Sequence, residues 1–107
     1  MAIRHIVLLK LKPGYSWEDP LALEAERLVR ALGNEVPEIQ TWYAARNLSD
    51  RPIAYDFVVM GTFLDEAAVE RYLTNDFHRK STALWRRISD WVVVDAAEDT
   101  ATVFPRY

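Results

Sequence analysis

The chain opens with apolar residues at nearly every position from Ala2 to Leu11, closed by Lys12-Pro13-Gly14. The β-branched and aliphatic content predicts a strand over 2–12. Its faces are Ile3, His5, Val7, Leu9, Leu11 on one side and Ala2, Arg4, Ile6, Leu8, Lys10 on the other. Leu21, Ala25, Leu28, Val29 and Leu32 then recur at helical spacing and predict a helix over about 17–32. Ser16 or Asp19 can cap it, Pro20 suits its first turn, and Gly33-Asn34 reads as its stop. A second strand is expected over 39–47 and a third over 54–63, separated by the turn Leu48-Ser49-Asp50-Arg51-Pro52. Asp65 caps a helix over 66–74, with Val69, Tyr72 and Leu73 on its apolar side. Asn75-Asp76 ends that helix and starts another over about 77–90, striped by Phe77, Ser81, Leu84, Trp85 and Ile88. Val92-Val93-Val94 belongs to a fourth strand beginning at Trp91, and the tail has room for a last strand near 100–104.

The order β-α-β-β-α-α-β contains two right-handed crossovers, which put every helix on one face of a single sheet. The expected fold is α+β: a ferredoxin-like four-stranded antiparallel sheet in one domain, residues 1–107. The uncovered face should then alternate with polar residues, and it does not. Ile6 and Leu8 oppose Val7 and Leu9, Val58 and Met60 oppose Phe57 and Val59, and three valines run together at 92–94. About six to ten aliphatic side chains would stay wet, each worth about 1.5–3 kcal/mol on burial. A second copy packed sheet to sheet, closing an α/β barrel, is the expected cover. The competing cover is the C-terminal tail, long enough for only part of the face.

Composition narrows the partners. Thirteen Lys plus Arg against sixteen Asp plus Glu give a net charge of −3, which argues against nucleic acid or an anionic membrane. With no cysteine and two histidines, His5 and His78, thiolate chemistry and a histidine-rich metal site are excluded. Gly14, Gly33 and Gly61 are isolated, so no phosphate-binding loop exists, and no cofactor is expected. No targeting or membrane-spanning pattern is visible, and a cytoplasmic location is the expectation. Arg79, Lys80, Arg86 and Arg87 could attract an anion, although a solvated helix face is the more usual explanation of such a cluster.

Four stretches carry a family resemblance: IRHIVLLKLKPG, ARNLS, YDFVVMGTFLDEAAVERYL and WVVVD. Together they resemble the dimeric α/β-barrel family of stress-responsive A/B-barrel (Dabb) proteins, across nearly the whole chain. Within it, Tyr72 and His78 stand where the plant polyketide cyclases of the olivetolic acid cyclase branch carry a catalytic Tyr and His. His5 matches a histidine of that branch's pocket. The resemblance implies a cofactor-free proton transfer or aldol cyclisation, with His78 as base and Tyr72 as donor to the enolate oxygen. It also implies that the odd face of the first strand looks toward the helices. A ligand cavity would then be lined by His5, Val7, Leu9, Val59, Gly61, Val69 and Trp85, Gly61 leaving room by lacking a side chain. The chain departs from the branch in lacking a Tyr near Arg27-Leu28 and in reading Asn75-Asp76-Phe77 before His78. The alternative expectation is a non-enzymatic, stress-related dimer whose core is packed solid by Tyr72, Phe77 and Trp85.

Overall fold

The computed structural model describes residues 1–105. The strands are β1 (Ile3–Leu11), β2 (Thr41–Arg46), β3 (Phe57–Phe63) and β4 (Ser89–Ala97), and the helices α1 (Pro20–Glu35), α2 (Glu66–Thr74) and α3 (Asp76–Ile88). All strand pairs are antiparallel, in the order β2-β3-β1-β4. This is the ferredoxin-like arrangement, with β1 and β3 central and β2 and β4 at the edges.

Local chemistry sets the boundaries. Pro20 occupies the first turn of α1, but the Asp19 carboxylate accepts from the Ser16 N–H at 2.9 Å instead of capping the helix. The expected start at 17 is therefore a turn. The expected stop at Gly33-Asn34 is also corrected: α1 runs on to Glu35, and the Val36 N–H closes onto the Leu32 carbonyl at 3.0 Å. Gly33 serves a different end, since a Cβ there would lie 2.9 Å from the Trp42 Cβ. It lets β2 approach the helix. Asp65 caps α2 by accepting from the Ala68 N–H at 2.8 Å. Asn75 caps α3, accepting from the N–H groups of Phe77 (2.8 Å) and His78 (3.2 Å). β3 starts at Phe57 rather than 54, because Asp56 is engaged by β1: its N–H donates to the Leu9 carbonyl, and its carboxylate accepts from the Leu11 N–H. Ser89, expected inside the last helix, opens β4, its hydroxyl tied back to the Trp85 carbonyl at 2.8 Å.

The core lies between the helices and the odd face of β1. Ile3, Leu9, Phe57, Val59 and Phe63 from the sheet meet Ala25, Val29 and Leu32 from α1 and Val69, Tyr72, Trp85 and Ile88 from α2 and α3. Leu73, expected on the apolar side of α2, is 42% exposed.

On the other face, strand register lines up Tyr43, Met60, Ile6 and Val94 in one row and Ala45, Val58, Leu8 and Val92 in the next. Leu8 is 37% exposed, Val92 49% and Val94 58%. The tail, as far as residue 105, does not cover them. Glu98–Thr100 forms one 3-10 turn, held by the Glu98 N–H on the Ala2 carbonyl and a two-pronged Arg4–Glu98 ion pair. Residues 101–105 are exposed and form no strand, so the expected last strand near 100–104 is absent. The remainder of the tail, 106–107, lies outside the described residues.

Candidate functional site

The inner face of the sheet is covered unevenly. α1 and α2 fill the β2–β3 side, and Trp42 completes that filling. Its indole N–H donates to the Val29 carbonyl at 3.0 Å, and its ring lies over Gly61, where a Cβ would come within 2.6 Å of it. The space expected from Gly61 is thus occupied, and Gly61 does not line the cavity. Val69 is likewise packed into the core rather than exposed to a ligand.

On the β1–β4 side α3 leaves a gap. A cleft of about 410 Å³ opens there, between α3 and the inner face of β1 and β4. Of the expected residues it brings together His5, Val7, Leu9, Val59, Tyr72, His78 and Trp85. Sequence reasoning missed Val29 and Leu32 of α1, Leu73 of α2, Ser81 and Thr82 of α3, and Trp91 and Val93 of β4, and it named Arg79 and Arg86 of α3 only as able to attract an anion. Trp91 and Val93 had a readable signal: they alternate with Val92 and Val94, so they share a face. Val93 is still 47% exposed although it points toward the helices, which marks the cleft's mouth at the β4 edge.

His78 sits in the first turn of α3, its ring 4.2 Å from that of Tyr72 between centroids. Nε2 is 3.4 Å from the Thr82 hydroxyl, and the buried Nδ1 has no hydrogen-bond partner among the described residues. Its pKa lies below the ordinary 6.5, chiefly because burial disfavours the cation, with the neighbouring His5 adding to the depression. The Leu73 backbone carbonyl pulls the other way, yet does not reach hydrogen-bond geometry with Nδ1. The imidazole is neutral at pH 7, with one ring nitrogen a donor and the other an acceptor.

Tyr72 is 3% exposed. Burial, and secondarily the Asp95 carboxylate, push its pKa far up, so the phenol stays protonated and available as a donor. His5 packs edge-on against both Tyr72 (5.3 Å) and Phe63 (6.1 Å). Its Nδ1 bonds Asp95 at 2.5 Å. The β1–β4 register sets His5 directly opposite Asp95, on one face of the sheet. Trp85 Nε1 is a second buried group with no partner among the described residues.

The described residues contain no group of His, Cys, Asp or Glu placed to hold a metal. Among them no helix is long and apolar enough to cross a membrane.

Comparisons with known proteins agree with this architecture. The family model of the stress responsive A/B barrel domain matches residues 3–98. An uncharacterised protein of Streptomyces coelicolor is 42% identical over 93 residues, 87% of this chain and 96% of the relative. Among solved structures, a dimeric ferredoxin-like protein of unknown function from Thermobifida fusca is similar with a TM-score of 0.79, at 23% identity and 91% coverage of both chains. A hydroxynitrile lyase from Passiflora edulis is similar with a TM-score of 0.72, at 18% identity and 97% coverage of both chains.

Proposed function

The chain belongs to the stress responsive A/B barrel domain family, and from that premise we propose that it is a homodimer in which each protomer binds a small apolar or aromatic ligand in its α3–β4 cleft. There His78 and Tyr72 carry out cofactor-free proton transfer of the aldol-cyclisation type. The dimer is supported by the two apolar rows on the open sheet face and by structural relatives described as dimeric. Ile6, Leu8, Val58, Met60, Val92 and Val94 are partly buried already, so covering what remains against a twin is worth about 0.5–1.5 kcal/mol per side chain, roughly half the value for full burial. Light scattering should report twice 12.4 kDa. Leu8→Glu, which puts a charge at the centre of that face, should give the monomer mass.

The observation that carries the chemical reading is a neutral imidazole, its Nδ1 without a partner among the described residues, packed at a tilt against a protonated phenol at the wall of an apolar cleft. For a ligand with a C–H next to a carbonyl, His78 accepts the proton and the electron pair moves onto the carbonyl oxygen. Tyr72 donates a hydrogen bond to that oxygen. In a cyclisation the carbanion then attacks a second carbonyl of the same molecule, and His78 returns the proton to the new alkoxide. The fold is shared with a protein named as a hydroxynitrile lyase, so a lyase is within the range of this scaffold.

The test is to assay poly-β-keto and phenolic compounds with the wild type and with His78→Ala. Turnover lost in the variant while binding persists supports the base role. Turnover unchanged in the variant rejects it. The alternative, a structural dimer with a solid core, needs Tyr72, Phe77 and Trp85 to fill the cleft, and they leave about 410 Å³ open. Absence of any ligand binding would return the argument to that reading.

A further inference from the structure

The charges around the cleft are one-sided. Its lining includes two arginines, Arg79 and Arg86, and no Asp or Glu, in a chain whose net charge is −3. Both belong to α3 and are seven residues apart, which puts them on one side of the helix about 10 Å apart along its axis. Neither forms an ion pair with a carboxylate among the described residues. Most other arginines of the described chain do: Arg4, Arg27, Arg30, Arg46 and Arg71 each bind a glutamate. The carboxylate facing inward from β4, Asp95, is turned to His5 and lies off the lining.

These arginines stand at the entrance, above an aromatic wall. The Arg86 guanidinium lies 5.7 Å from the Trp91 ring, and Trp91 lines the cleft beside the half-exposed Val93. Deeper, Trp85 is 2% exposed and keeps an indole N–H with no partner. A solvated helix face would give cations scattered about the outer side of α3, as Lys80 and Arg87 are. It would not give two cations on the cleft's own lining and acids excluded from it.

Building on the small-ligand reading, we infer that the cleft is specific for monoanions with an aromatic or aliphatic body, a carboxylate above all. The apolar body lies between Trp85, Trp91 and Val93, and the carboxylate sits at the mouth between Arg79 and Arg86. Guanidinium groups suit it because they offer paired N–H donors to the two carboxylate oxygens. The reach of two partly exposed arginines is worth about tenfold in affinity.

The experiment uses a matched pair of probes, 2-naphthoate and 2-naphthylmethanol, titrated into the whole protein and followed by tryptophan fluorescence. The proteins are the wild type, the double variant Arg79→Gln/Arg86→Gln, and a control, Arg51→Gln, in an exposed loop. The expected result is about tenfold tighter binding of the carboxylate than the alcohol by the wild type and the control. The double variant should bind both alike, with its affinity for the alcohol unchanged, which also shows that it is folded. Equal affinities in the wild type, or a preference that survives in the double variant, would overturn the anion specificity while leaving the cleft a ligand site. Failure of both probes to bind would overturn the small-ligand reading, and this inference with it.

Discussion

One face of one sheet is treated in two ways. Over β2 and β3 the layer beneath the helices is closed by Trp42, seated on two glycines and bonded to the Val29 carbonyl. Over β1 and β4 the same layer stays open, and its lining includes two buried nitrogens, His78 Nδ1 and Trp85 Nε1, with no partner among the described residues. The backbone on both sides is regular antiparallel sheet, so the difference lies in which side chains fill the layer beneath the helices, Trp42 of β2 doing so on the closed side. A filled half holds the fold together and leaves the other half free to keep a neutral histidine beside a protonated tyrosine. Interiors normally close to near-crystalline density, and the open half is therefore where ligand chemistry is most reasonably sought.

The contrast can be broken from the filled side. Trp42→Ala removes the indole from between α1 and β3, and we expect about 3 kcal/mol of stability to be lost, read as a drop in the urea midpoint. A much smaller loss would mean that the closed half is not closed by this residue. Next in size is Gly61→Ala. A Cβ there meets the Trp42 ring at 2.6 Å and the Thr41 carbonyl at 3.3 Å. The overpacking costs about 1–3 kcal/mol, and combining the change with Trp42→Ala should cost less than the sum, because the clash has gone.

The open half predicts smaller effects on stability. Val93→Ala, at a nearly half-exposed position, should move stability by no more than about 0.5 kcal/mol while weakening any ligand that enters past β4. Acidification acts through His78. Its folded pKa is below the unfolded 6.5, so the unfolded chain takes up the proton first. The stability it contributes is complete above pH 6.5 and is lost as pH falls below that value toward the folded pKa. In His78→Gln, which cannot titrate, this part of the acid sensitivity should vanish. A thermal melt series across pH 5–8 reads both, and identical pH profiles for the two proteins would contradict the assignment.

Much of this division was readable from the residue pattern, and the failures have physical causes. The two apolar faces of β1 and the stripe of α3 follow from periodicity alone, and with them the ferredoxin-like order. Gly33 was misread because glycine both ends helices and admits a close neighbour, and only the packing of Trp42 distinguishes the two. Gly61 looked like room for a ligand for the same reason. Trp42 reaches it from the neighbouring strand, a contact that only strand register supplies. The His5–Asp95 bond was out of reach until β4 was placed beside β1. Arg79 and Arg86 resembled any solvated helix face until the gap between α3 and β4 put them on its lining.

The most direct measurement is an NMR titration of the His78 imidazole, assigned by comparison with His78→Gln, with and without a cleft ligand such as 2-naphthoate. The account predicts a midpoint below 6.5 in the free protein and a change in the ring resonances when the ligand is added. A midpoint at or above 6.5, with resonances indifferent to the ligand, would contradict it.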